Sequence, residues 1–219
     1  MKRNKLYGVL GLGVFGSTIA QTLAEKGYEV IAVDKEVACV DRLAESVAQA
    51  NIADITDIEQ LREIGIGNCD IVVVAVSSQL EVSLMAILNL QELGIPYILA
   101  KAKNKKAVQI LTRIGVNKVV RPENDMGERV AKSLMSQNII DVIDLDENYS
   151  IVEMHLPNSW VGHSIIDLDV RNKYGINILG IREPDDTALT INFDIHKPLA
   201  ADITLYVIAP TAKLNKFDF

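Results

Sequence analysis

The stretch that decides the fold is Leu6-Tyr7-Gly8-Val9-Leu10-Gly11-Leu12-Gly13-Val14-Phe15-Gly16. Leu6–Leu10 has the apolar character of a buried strand, and the segment Gly16–Lys26 has the spacing of an amphipathic helix. The three glycines fall between them, where each has a separate task. Gly11 permits a tight turn, Gly13 lets a phosphate approach the backbone, and Gly16 lets the helix pack closely on the strand. The helix start adds unpaired N–H groups and the positive end of a dipole. Asp34 closes the second strand 23 positions after Gly11. A carboxylate there accepts hydrogen bonds from ribose hydroxyls and repels a 2′-phosphate, which argues against NADP. A glycine-rich turn without a ligand is the alternative. With strand, helix and acid in register, the expectation is an adenine nucleotide held by Gly11, Gly13, Gly16 and Asp34, with Val14, Phe15 and Lys35 beside them.

The same alternation continues. Leu6–Leu10, Glu29–Val33, Ala48–Ile52, Ile71–Val76, Tyr97–Ala100 and Lys118–Val120 read as strands. Val37–Glu45, Asp57–Ile64, Gln79–Leu93 and Lys105–Ile114 read as helices between them. Strands apolar on both faces, alternating with helices, predict an α/β fold with a Rossmann-like parallel sheet covered on both sides. Two further points belong to the strand ends where ligands of such sheets bind. Ala53-Asp54-Ile55-Thr56 either borders the adenine base or caps the next helix. Lys101 either faces a phosphate or an acidic neighbour, or is one solvated member of the run Lys101, Lys103, Lys105, Lys106.

Composition narrows the classes. The chain has 219 residues, 49% of them hydrophobic and 23% charged, enough for a packed core and for one large domain or two small ones. A net charge of −7 argues against general nucleic-acid binding, which needs a basic face. No apolar run approaches the roughly 20 residues of a membrane span. Met1-Lys2-Arg3-Asn4-Lys5 is not a signal peptide. Two cysteines, Cys39 and Cys69, imply no disulfide framework, so a soluble cytoplasmic protein is expected.

After Arg121-Pro122 the pattern changes. Met126–Gln137 reads as one more helix, followed by an acid-rich stretch from Asp141 to Glu147, and the boundary is placed near Asn138. Residues 1–138 carry 16 basic and 16 acidic side chains and residues 139–219 carry 6 and 13, so all of the −7 lies in the second part. That part reads as a small α/β unit. Its expected elements are strand Tyr149–His155, helix Ile165–Lys173 capped by Ser164 and ended by Gly175, strand Ile176–Arg182, a turn at Pro184-Asp185-Asp186, and strand Ile203–Ala209.

Catalytic patterns are weak. Tyr97 and Lys101 have a Tyr-x-x-x-Lys spacing, but that pair must share a helical face and here it lies in a buried strand pattern. His155, His163 and His196 have no metal-type spacing, and neither cysteine belongs to a Cys-x-x-Cys. No nucleophile elbow or Walker motif occurs. A non-enzymatic nucleotide-binding protein is therefore expected. A small NAD-dependent oxidoreductase and a nucleotide-sensing transcription factor are the alternatives; the first needs an acid or base near a nicotinamide and the second a basic recognition element.

Two strings are more specific than the glycine loop: Pro122-Glu123-Asn124-Asp125-Met126-Gly127, and Asp169-Val170-Arg171-Asn172-Lys173-Tyr174-Gly175. With Ala53–Thr56, Lys101-Ala102 and Ser164–Leu168, they make the chain resemble the cytoplasmic regulatory subunits of bacterial Ktr/Trk potassium uptake systems, the RCK (TrkA) family. The resemblance implies an RCK N-terminal domain with its crossover helix over residues 1–138, and a small α/β RCK_C (TrkA-C) domain over residues 139–219. It implies ATP, ADP or NAD(H) bound between paired protomers, dimers assembled into an octameric ring, and a membrane potassium pore subunit that the ring gates from the cytoplasmic face. It implies a cation at Glu123, or simply a helix start there. It also implies cyclic di-AMP at Ile165, Ile166, Asp167, Arg171 and Asn177, with Arg171 toward a phosphate and the apolar pair on adenine. The plain alternative is a dimer-interface helix with Arg171 paired to Asp167. One departure is evident: many relatives carry Arg where this chain has Val14, which leaves NAD(H) or AMP-type ligands open beside ATP and ADP.

Overall fold

A computed structural model describes residues 5–184 and 186–216 of the chain. The reading of residues 1–4 and of Asp185 lies outside the described residues. The chain divides into two compact units, residues 1–122 and 123–219.

In the first unit the order is β1 (Leu6–Leu10), α1 (Val14–Glu25), β2 (Glu29–Asp34), α2 (Val37–Asp41), β3 (Gln49–Ile52) and α3 (Ile58–Glu63). Then come β4 (Ile71–Val74), α4 (Leu80–Glu92), β5 (Ile98–Lys101), α5 (Lys105–Ile114) and β6 (Lys118–Val120). The six strands are parallel and lie in the order β3-β2-β1-β4-β5-β6. The strand order reverses beside β1, and the crevice at that switch point is where such sheets bind ligands. Alternate residues go to opposite faces. Leu10, Ile31, Val33, Val72 and Val74 enter one core, while Val9, Val30, Ala32 and Val73 enter another. That is why these strands read as continuous apolar runs.

The second unit contains α6 (Pro122–Ser133), β7 (Ile139–Asp144), β8 (Tyr149–His155), α7 (Ile165–Leu168), α8 (Val170–Tyr174), β9 (Asn177–Arg182) and β10 (Thr204–Pro210). Its four strands form an antiparallel sheet in the order β7-β8-β10-β9 over a core that includes Val152, Met154, Trp160, Leu205 and Val207.

Three expectations for this unit are corrected. The helix begins at Pro122, not Met126, and ends at Ser133. Proline suits a first helical position, and Glu123 and Asp125 in the first turn complement the dipole. The acid-rich stretch, which the sequence reading gave no element, opens in a strand: Ile139–Asp144, whose alternation is hidden by a bulge between Ile139 and Asp141. Arg129 and Lys132 of α6 pair with Asp141 and Asp144 of that strand, so the helix belongs with β7 and the division falls near Pro122 rather than Asn138. The single helix 165–173 is broken in two, because Asp169 takes a left-handed conformation (φ 47°) that Asp tolerates better than most residues.

Smaller differences concern ends. β4 stops at Val74, β5 is shifted to Ile98–Lys101, and α2 stops at Asp41.

Candidate functional site

The β1–α1 turn is built around two glycines that the fold itself requires. Gly11 has φ +93°, and a Cβ there would lie 2.5 Å from Val76 Cγ2. A Cβ on Gly16 would lie 1.9 Å from the Gly11 carbonyl oxygen. Gly13 differs: a Cβ on it would meet no atom within 4 Å. Gly13 is the N-cap of α1 and has no side chain to close the helix, so the first-turn N–H groups of Val14, Phe15 and Gly16 are not capped by a side chain. Open space in front of an uncapped helix start is the arrangement that receives an anion.

Asp34, at the end of β2, is bound more tightly into this turn than the sequence indicates. Its Oδ2 accepts from the Leu12 N–H at 2.5 Å and its Oδ1 from the Glu36 N–H at 3.0 Å. The carboxylate thus ties the glycine loop to β2. Each oxygen keeps a second lone pair for a ribose hydroxyl.

A cavity of about 430 Å³ opens at this point, lined by Gly11, Asp34, Lys35, Asp54, Ile55 and Thr56 on one side and by Val76, Ser78, Gln79 and Val82 on the other. The fold therefore brings together Gly11, Asp34, Lys35 and the 53–56 loop. The last four, three from the β4–α4 connection and Val82 from the first turn of α4, carried no motif; only their place across the switch point marks them.

Asp54 is not a helix cap. The cap of α3 is Asp57, which accepts from the Glu59 and Gln60 N–H groups. Asp54 Oδ1 accepts from both the N–H and the hydroxyl of Thr56, at 2.8 and 2.7 Å. The Thr56 hydroxyl and N–H, aided by the charge of Lys35, hold the Asp54 carboxyl below its usual value. It stays an ionised acceptor in the cavity wall. Ile55, next to it, has an N–H with no acceptor among the described residues.

Lys101 is not in that cavity. It lines a neighbouring one of about 330 Å³ with Ser77, Ser78, Lys103, Asn104 and Lys106, and its Nζ lies 5.7 Å from the centroid of the Phe15 ring. Val14 is 87% exposed and brings no charge to the helix start.

In the second unit, Ser164 Oγ accepts from the Asp167 N–H at 3.2 Å and donates to Asp167 Oδ2 at 2.6 Å. The Ser164 hydroxyl, then His163 and His196, hold the Asp167 carboxyl low. Ile165 packs on the core, Ile166 is 47% exposed, and Asn177 opens β9 at the surface. Arg171 lies beyond the break at Asp169, and its expected pairing with Asp167 does not occur among the described residues. Glu123 is exposed in the first turn of α6. No group of three or more His, Cys, Asp or Glu side chains able to hold a metal ion occurs among the described residues.

Comparison with known proteins agrees with this fold. Residues 7–122 match the TrkA-N domain. The chain is 35% identical over 219 residues to Ktr system potassium uptake protein C of Bacillus subtilis (strain 168), covering 98% of this chain and 96% of the relative. It is 40% identical over 188 residues to Ktr system potassium uptake protein A of the same organism, covering 86% and 85%. Among solved structures it resembles the GsuK channel bound to NAD, with a TM-score of 0.67 and 16% identity over 97% of this chain and 38% of that one.

Proposed function

Because the chain belongs to the TrkA-N family of Ktr/Trk potassium uptake proteins, we propose that it is the regulatory subunit of a potassium uptake system and binds an adenine nucleotide in the cavity at the β1–α1 turn. The observation that carries the reading is Gly13. Gly11 and Gly16 are explained by contacts inside the protein, whereas the space at Gly13 has no use in the fold and lies before an uncapped helix start. A phosphate fills that space, Asp34 takes the ribose, and the Asp54–Thr56 loop borders the base.

No bond is broken in this reading. The nucleotide acts through its differential affinity for two shapes of an assembly, a dimer built up into a ring, and the ring passes the change to a membrane pore subunit. The protein then works in the cytoplasm, at the inner face of the membrane. No described helix is long and apolar enough to cross one, in keeping with a separate pore. Val14 supplies no cation for a terminal phosphate, so NAD(H) or AMP-type ligands stand beside ATP and ADP.

A second ligand, cyclic di-AMP, is proposed for the surface formed by Ile165, Ile166, Asp167, Arg171 and Asn177. The exposed Ile166 and an Arg171 without an acidic partner among the described residues favour it. Calorimetry with ATP, ADP, AMP, NADH and cyclic di-AMP tests both sites. Heat from at least one of the first four is expected, and none from any of them refutes the nucleotide site. Silence from cyclic di-AMP refutes the second site alone.

A further inference from the structure

Helix α4 carries two buried polar side chains, Ser83 and Asn89, which are 1% and 8% exposed. Each leaves its own helix to bond a carbonyl in a wall of the nucleotide cavity. Ser83 Oγ donates to the Val76 carbonyl at 2.7 Å. Asn89 Nδ2 donates to the Thr56 carbonyl at 2.9 Å and to the Ile55 carbonyl at 3.4 Å. A buried amide is costly unless bonded, and packing alone would be served by leucine at position 89. Asparagine supplies two N–H donors, and two successive carbonyls are turned toward it.

The loop is held from both sides as a result. The Thr56 N–H donates to Asp54 Oδ1, and the Asp57 N–H to the Asp54 carbonyl at 3.0 Å. The Ile55–Thr56 and Thr56–Asp57 peptides are therefore fixed at N–H and C=O alike. In the preceding peptide the Asp54 carbonyl is engaged, and the Ile55 N–H, on the opposite side of a planar trans unit, has no acceptor among the described residues. Asp54 Oδ2 likewise accepts no hydrogen bond among the described residues. A fixed donor beside an ionised acceptor fits the edge of adenine, whose N1 accepts and whose N6 donates. Guanine presents the opposite pair, an N1–H donor and an O6 acceptor.

We propose that Asn89 is the positioning residue that sets base selectivity in the cavity, by holding the Ile55 and Thr56 carbonyls so that the Ile55 N–H stands beside the Asp54 carboxylate. This rests on the reading that the cavity takes an adenine nucleotide.

The test is titration of the full chain with ATP and with GTP in three forms: wild type, Asn89→Leu and Ser83→Ala. Ser83→Ala is the control, since it breaks a buried bond of the same helix to the opposite wall. Wild type should prefer ATP by about tenfold or more, the worth of one well-placed hydrogen bond to a charged partner. Asn89→Leu should weaken ATP, leave GTP unchanged and bring the ratio near one; Ser83→Ala should keep the wild-type ratio. If Asn89→Leu does not fold, Asn89→Ala should give the same collapse of the ratio. Wild type that binds neither nucleotide overturns this inference, and the adenine reading falls with it when ADP, AMP and NADH are silent as well. Wild type that prefers ATP while the Asn89 variant keeps that preference, or Ser83→Ala loses it equally, overturns only the role of Asn89. Equal binding of ATP and GTP by wild type also overturns it.

Discussion

Replacing Gly13 and Gly16 by alanine, one at a time, separates what the glycine loop does for folding from what it does for a ligand. At Gly16 the new Cβ would stand 1.9 Å from the Gly11 carbonyl oxygen and 3.0 Å from Ala75 Cβ. The first distance is about 1.5 Å short of ordinary contact, which begins at 3.4 Å. The carbonyl has little freedom to retreat. The Gly11 N–H is bonded to the Val33 carbonyl at 2.8 Å, and Val76 closes on Gly11 from the other side. Overpacking of this severity costs about 3 kcal/mol, which lowers the melting temperature of a unit of this size by about 10 °C. At Gly13 the geometry is the reverse. The backbone, at φ −65° and ψ −175°, is open to any residue, and the methyl meets nothing. The poorer capping of alanine is roughly offset by the lower entropy of the unfolded chain, so stability changes by less than about 1 kcal/mol. The methyl does occupy the approach to the helix start. Losing one charge-assisted hydrogen bond there weakens nucleotide binding by about tenfold or more. Melting curves and calorimetry on the two variants measure both effects. A Gly13→Ala protein that binds nucleotide as wild type does would refute the phosphate site. A Gly16→Ala protein as stable as wild type would refute the packing account.

Asp34→Ala should lose about 1.5–3 kcal/mol of nucleotide affinity by calorimetry, the range for hydrogen bonds to a charged group; unchanged affinity would move the site elsewhere. Hydrogen bonds from Arg129 and Lys132 hold the Asp141 and Asp144 carboxyls below the usual carboxylate range. Carboxyls lowered in the folded state contribute stability above the ordinary carboxylate pKa and lose it as pH falls through the lowered value. The second unit should therefore melt at lower temperature below about pH 4, and Asp141→Asn should flatten that dependence; identical pH slopes for the two proteins would contradict it. Burial pushes the Cys69 thiol up to about 12, whereas Cys39 is half-buried, so a thiol reagent at pH 8 should label Cys39 and leave Cys69 until the protein unfolds. Two thiols reacting at one rate in the native protein would count against that core.

The parallel sheet and its glycine-rich strand-to-helix turn were legible in the sequence because each depends on local pattern, whereas the strand order and its switch point came only with the structure. Continuous apolar strands, helical spacing between them and glycines at a strand-to-helix turn are set by residues close in the chain. The features that escaped depended on backbone direction or on distant partners. The β7 strand was hidden by its bulge and by acids whose cations, Arg129 and Lys132, stand 12 residues before them. The break at Asp169 turns on a single φ angle, and no spacing rule reveals it. Asp34 reads in the sequence as an expected ribose acceptor, but nothing there shows its bond to the Leu12 N–H. Asn89 gave no signal at all, since the carbonyls it holds lie 33 and 34 residues earlier. Periodicity tells which side chains are turned inward; only the folded chain decides which buried polar groups meet, because that depends on the direction of each carbonyl and on elements far apart in sequence.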